Sequence, residues 1–276
     1  MKYSILTCVF GNYELLREPV KVDPECEYIC VTDRTDLDDY QGAWKIVHLN
    51  QILQTMPFTN QWTYVRFHPF DFVTNDICLY IDGSIQVMYG DMQNVLIKPF
   101  AEGDFVYGIM PPVNTVECNI EDDIACWEIT RNISSMISNK VRKYLKDNNY
   151  NVNGMLQSGF LLFKNCQDCH IINNTAWELC HLWGYNGCTV DRNNQIDLSY
   201  TVNKLFYQSE KIFRVSGLML NSNILQIFQH GKDNVIWTRT GMDDAIFCDE
   251  MVPNHVIRTP DLELVFEPRE LTEDEM

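Results

Sequence analysis

Residues 77–87 read ICLYIDGSIQV, an apolar run that ends on an aspartate. Ile77, Leu79, Tyr80 and Ile81 describe a buried strand, and Asp82 places an ionisable group at its end. Two small residues, Gly83 and Ser84, follow before the apolar pattern resumes. A buried carboxylate without a partner is costly, so Asp82 calls for a cation, a ring of donors or a metal. A chain carrying this stretch has to bury the strand in a sheet and open its end onto something polar.

The rest of the chain supplies such a sheet. YSILTCVF (3–10) is a β-type run closed by the turn signal GNY, and EYICVTD (27–33) is a second strand, again ending in an aspartate, Asp33. AWKIVHLN (43–50) reads as a third strand, and QWTYVRFHPFDFV (61–73) has helical spacing up to Pro69. DFVYGIM (104–110) is a strand, and residues 122–148 form the longest helical stretch, apolar at i, i+3 and i+4. GMLQSGFLLFKN (154–165) reads as a strand with a turn, and 174–185 and 194–208 as helices. Strands follow at KIFRVSG (211–217) and NVIWTRT (234–240). Strands alternating with helices predict an α/β fold, a mostly parallel mixed sheet flanked by helices. With no repeat, low-complexity block or linker, a single domain over residues 1–268 is expected, followed by a flexible acidic tail at 269–276. In sheets of this kind ligands sit beyond the carboxyl ends of the strands, which makes Asp33 and Asp82 site candidates.

Charge narrows the partners. The 276 residues carry 38 acidic against 21 basic side chains, a formal net charge of −17. Such a surface repels phosphate backbones and anionic lipid, which argues against nucleic acid and membranes. An anionic small molecule would need a local positive charge or a divalent cation. The chain shows neither a leader pattern nor an apolar run of membrane-spanning length, and a cytoplasmic location is expected. Eleven cysteines, an odd number without framework spacing, suit reduced core thiols better than disulfides. The sequons at Asn132 and Asn173 then have no role. CQDCH (Cys166, Cys169, His170) matches the spacing of haem attachment and could also suggest zinc, but packing around a turn that opens the next helix accounts for it more simply.

The chain contains no P-loop, G-x-G-x-x-G, G-x-S-x-G or H-E-x-x-H motif, so the usual dinucleotide, kinase and hydrolase readings have no support. What remains is polar residues at strand ends. TCVFGNYELLREP (7–19), YICVTD (28–33), VRFHPF (65–70), YIDGSIQV (80–87), ECNIEDD (117–123) and RNNQIDLSYTVNK (192–204) stand in the order seen in one family. By these stretches the chain, over roughly residues 3 to 205, resembles the glycosyltransferase-like family that includes plant mucilage-synthesis and turgor-regulation proteins. That family in turn resembles the GT-A class of nucleotide-sugar transferases, with a Rossmann-like sheet and a D-x-D-type metal motif at a strand end.

The resemblance implies a nucleoside-diphosphate sugar donor, a UDP-sugar first, and a hydroxyl acceptor on a glycan, lipid or protein. It implies Mn²⁺ or Mg²⁺ as the cofactor, held by Asp82, with Ser84 at the third D-x-D position and His230 completing the site. Hard oxygen ligands suit these ions, which offset charge on the leaving diphosphate. QIFQHGKDNVIW resembles the His-x-x-Gly-x-Lys region of some GT-A transferases at tighter spacing, which gives Lys232 a diphosphate role. The donor side takes Phe10, Gly11, Tyr13, Arg17, Asp33, Arg66 and Gly83. Gly11 admits close approach, Tyr13 stacks on the base, Asp33 accepts from base or ribose, and Arg66 meets the diphosphate. Acceptor-side candidates are Asp122, Asp123, Gln195 and Asp197. Where the family reads R-D-Q, this chain reads Asn193-Asn194-Gln195, and asparagine cannot act as a general base. A non-catalytic carbohydrate-binding or scaffold protein derived from a transferase is therefore the alternative, with a metal-dependent hydrolase behind it for want of a His-rich triad.

Overall fold

The first apolar run becomes the centre of a sheet. The computed structural model describes residues 1–11, 16–49, 51–56, 58–83, 85–87, 92–110, 135–148, 157–182, 198–202, 211–214, 225–227, 256–258 and 264–266. Strand β1 (Tyr3–Val9) is buried at every position. It pairs in parallel with β2 (Cys26–Thr32) on one side and with β4 (Ile77–Ile81) on the other. β3 (Lys45–His48) extends the sheet beyond β2. Past β4 lie β7 (Gln157–Lys164), β6 (Tyr107–Met110) and β8 (Ile212–Arg214), giving the order β3-β2-β1-β4-β7-β6-β8. β7 is antiparallel to both of its neighbours, and β8 is parallel to β6, so β7 alone runs against the other strands of this sheet. This is the mixed, mostly parallel α/β sheet that the alternation of runs predicts.

Alternation along the strands splits the core into two layers, because successive side chains face opposite sides of a sheet. Leu6, Cys8, Ile29, Val31, Cys78, Tyr80, Leu161 and Phe163 form one layer. Helices cover it: α2 (Phe58–Phe67) through Val65 and Phe67, α4 (Ser135–Asp147) through Val141 and Leu145, and α5 (Gln167–Leu182) through Ile172, Ala176 and Leu179. Tyr3, Ile5, Val9, Cys30, Leu79, Ile81, Phe160 and Leu162 form the other layer, covered by the segment of Leu96, Ile97 and Phe100. That segment joins a π-helical turn (Gln93–Ile97) to α3 (Lys98–Glu102).

α2 stops at Phe67, and Pro69 opens a 3-10 turn, as the helical spacing up to that proline implies. α5 begins earlier than the run at 174 suggests, and CQDCH spans its start. Of the long helical stretch at 122–148, the described part is α4. The described elements also include a 3-10 turn (Thr35–Leu37), a short α1 (Gln51–Gln54), helical residues 198–202, β5 (Ile85–Val87) paired with β9 (Leu225–Ile227), and β10 (Val256–Arg258) paired with β11 (Leu264–Phe266). The strand expected at 234–240 and the tail at 269–276 lie outside the described residues. Among the described residues no helix is long and apolar enough to cross a membrane, and no two cysteines form a disulfide.

Candidate functional site

The order β3-β2-β1-β4 places a topological switch at β1: the chain winds from β1 toward β2 and β3, then returns to β1's other flank as β4. Between such diverging strands a crevice opens at their carboxyl ends. The residues there are Phe10-Gly11 after β1, Asp33 after β2 and Asp82 after β4.

Asp82 continues the β4–β7 ladder, its amide donating to the Gly159 carbonyl at 2.9 Å, and its own carbonyl accepts the Ile85 amide at 2.9 Å. The chain therefore turns back directly after the end of the strand. Asp82 stands two positions after Tyr80, so both side chains lie on the face covered by α2. There Arg66, in the last turn of α2, reaches the strand end: its Nη2 donates to Asp82 Oδ1 at 2.5 Å. Tyr80 Oη donates to the same oxygen at 2.9 Å. Among the described residues, the other carboxylate oxygen, Oδ2, has no hydrogen-bond partner. The Asp82 side chain is 30% exposed and that of Arg66 only 7%. The cation that the buried strand end demanded is thus Arg66.

Burial alone would pull the Arg66 guanidinium down, but the Asp82 carboxylate beside it prevails, with Tyr80 and Cys8 adding to its effect, and holds Arg66 above its ordinary value. Arg66 stays charged, with its Cζ 5.1 Å from the centroid of the Tyr80 ring. Its Nε is buried without a hydrogen-bond partner among the described residues.

Asp33 follows a parallel design on the other flank of β1. Gly11 has φ 55°, a left-handed conformation that glycine adopts without a Cβ penalty, and its amide donates to Asp33 Oδ1 at 2.8 Å. Thr32 closes the same corner, donating its hydroxyl to the Val9 carbonyl at 2.6 Å and accepting the Arg34 amide at 3.1 Å. Asp33 is exposed, and among the described residues its Oδ2 has no hydrogen-bond partner.

The sequence candidates divide accordingly. Gly11, Asp33, Asp82 and the buried Gly83 gather at the strand ends. Phe10 is only 1% exposed and packs in the core, which leaves its backbone alone to face a ligand. Arg66 has a different partner from the implied diphosphate: its charge is buried against Asp82. Arg17 is half-buried, and its carbonyl accepts the Trp44 indole N–H at 2.9 Å, tying the loop before β2 to the residue that leads into β3. Tyr13, Ser84, Asp122, Asp123, Gln195, Asp197, His230 and Lys232 lie outside the described residues.

A divalent cation would find in Asp82 Oδ2 a hard oxygen donor fixed from behind by two hydrogen bonds to Oδ1, as supporting donors fix ligating carboxylates. The donor fits as one ligand of such an ion. Among the described residues no three His, Cys, Asp or Glu side chains group as a metal site. At CQDCH, Cys169 is fully buried, burial pushes its thiol well up, and it accepts from Asn173 Nδ2 at 3.9 Å. His170 is exposed with its Nε2 at 3.0 Å from Asn165 Oδ1, so this cluster is packing. Asn173 is itself buried and accepts the Tyr107 hydroxyl at 3.1 Å.

No protein-family model matches the sequence, and no curated protein matches it. Among solved structures, the chain is similar to mouse xyloside xylosyltransferase 1, at 10% identity over 78% of this chain and 86% of that one, with a TM-score of 0.44. It is also similar to the galactosyltransferase LgtC solved with donor and acceptor sugar analogs, at 11% identity over 78% and 73% of the two chains, TM-score 0.43. A third likeness is to 4-diphosphocytidyl-2C-methyl-D-erythritol synthase from Anaerococcus prevotii, at 16% identity over 90% and 94%, TM-score 0.38.

Proposed function

We propose that the chain is a metal-dependent glycosyltransferase of GT-A type, related to the mucilage and turgor-regulation family by its ordered motifs. It would transfer a sugar from a nucleoside-diphosphate donor, a UDP-sugar, to a hydroxyl of a glycan, lipid or protein, in the cytoplasm and in the context of polysaccharide synthesis. One observation carries the reading. Two carboxylates flank the end of β1 at the topological switch, each anchored through Oδ1, and among the described residues neither has a partner at Oδ2. Each carboxylate is thus fixed through one oxygen and keeps the other available to a ligand at the carboxyl end of the sheet, where ligands of such folds bind.

In this reading Asp33 Oδ2 accepts from the base or ribose, Gly11 lets the backbone approach the nucleoside, and Tyr13 stacks on the base. Asp82 Oδ2 holds Mn²⁺ or Mg²⁺ together with Ser84 and His230, and Lys232 meets the diphosphate. The ion, when bound, supplies charge stabilisation for the departing diphosphate. Asp122, Asp123, Gln195 and Asp197 serve the acceptor. On a chain of net charge −17, a cation is also what makes an anionic donor electrostatically tolerable.

Thermal unfolding of the full chain, titrated with UDP with and without Mn²⁺, tests the proposal. Stabilisation that depends on both ligands and disappears in Asp82→Ala is expected. Absence of any nucleoside-diphosphate-dependent shift, across a panel of bases and with either metal, would sink it.

A further inference from the structure

The Asp82 carboxylate is held more tightly than an ion pair requires. A guanidinium can meet either oxygen of a carboxylate, or both, as the carboxylate turns about its last torsion. Arg66 alone would therefore leave open which oxygen faces the crevice. A second donor, the Tyr80 hydroxyl, lies 2.9 Å from the same Oδ1 that Arg66 engages, and two donors on one oxygen fix the turn.

The hydrogen count leaves Tyr80 one arrangement. A phenol has one proton and accepts through its oxygen lone pairs. Arg66 Nη2, 3.4 Å from Tyr80 Oη, can only donate to it. An ionised Asp82 can only accept, so the Tyr80 proton goes to Oδ1. Cys8 Sγ, 3.5 Å from the same hydroxyl, must then donate its S–H to it. Donors and acceptors thus form a directed chain, Cys8 to Tyr80 to Asp82, with Arg66 bonded to both Tyr80 and Asp82, and each link polarises the next. Tyr80 is 1% exposed and sits in β4 between paired strands β1 and β7, a rigid mounting.

We infer that Tyr80 is a positioning residue of this site, its hydroxyl locking Asp82 so that Oδ2 is the oxygen presented to a metal–diphosphate ligand. The inference rests on the proposed transferase reading and adds a residue to it that touches no ligand. Its signature is a loss confined to the metal-linked part of nucleotide binding.

The test compares the full-length wild type with Tyr80→Phe, an isosteric change that removes only the hydroxyl. Calorimetric titration with UDP, with and without Mn²⁺, gives the affinity gained through the metal. That gain is expected to fall about tenfold in Tyr80→Phe, the scale of one lost hydrogen bond to a charged acceptor, while metal-free UDP affinity stays at the wild-type value. An unchanged gain, or an equal loss in both titrations, overturns the inference, since a merely structural tyrosine would weaken both together. Should Tyr80→Phe fail to fold, Cys8→Ala keeps the ring and removes the donor to the same hydroxyl. A drop of about twofold in the gain is then expected, and no drop overturns the inference. A wild type that binds UDP with no metal-linked gain refutes the functional reading itself, and the inference with it.

Discussion

Arg66 carries its charge where water hardly reaches, and Asp82 is what makes that tolerable. Removing one member of such a pair costs more than removing both, because it strands the other. Arg66→Met should lower stability to urea by about 3 kcal/mol. The double change Arg66→Met with Asp82→Leu should cost clearly less than Arg66→Met alone, a coupling that a double-mutant cycle of urea midpoints measures. Additive losses would mean that the two side chains do not share their burial. From the residue string, Asp82 and Asp33 stood out because each closes an apolar run, and Arg66 because cations are scarce near those runs. The partnership did not stand out, since it depends on α2 docking its last turn against the end of β4. Tyr80 went unnoticed for a different reason. In an apolar run a tyrosine counts as core, and the sequence does not say where its hydroxyl points.

At the scale of elements, the sheet is most readable where strands are buried on both faces, as β1 and β4 are, because continuous apolar runs announce it. The turn and helix at 93–102 were harder to foresee: Pro99 interrupts the apolar pattern, yet it lies in the first turn of α3, where a missing N–H is harmless. α5 begins at Gln167, and the spacing of Cys169, Ile172, Ala176 and Leu179 marks its buried face. That signal was present but hidden behind the metal-like spacing of CQDCH. The reversal of β7 had no signature in its own residues. Close packing across this reversed strand gives a prediction. Gly108 in β6 faces Leu162 in β7, and a Cβ at Gly108 would stand 2.5 Å from the Leu162 Cβ. Gly108→Ala should therefore lower the unfolding free energy by about 1–3 kcal/mol, the range for overpacking, measurable by denaturant titration. Wild-type stability in that variant would show that β6 and β7 have room to part.

For the whole molecule, the parallel winding brings together carboxylates that the sequence holds far apart, with Asp33 and Asp82 on either side of β1 at one end of the sheet. The net charge of −17 belongs to the same scale. It sets a repulsive background for any anionic donor, against which the site needs a cation. The proposed function therefore requires a nucleotide and a metal to meet at this one place. A crystal structure of the full chain soaked with UDP and Mn²⁺ tests it most directly. A metal peak in contact with Asp82 Oδ2 is expected, with a nucleoside within hydrogen-bond reach of Asp33 and with Arg66 and Tyr80 still bonded to Oδ1. UDP and metal bound away from the ends of β1, β2 and β4, or a saturating soak that leaves those ends empty, would contradict it.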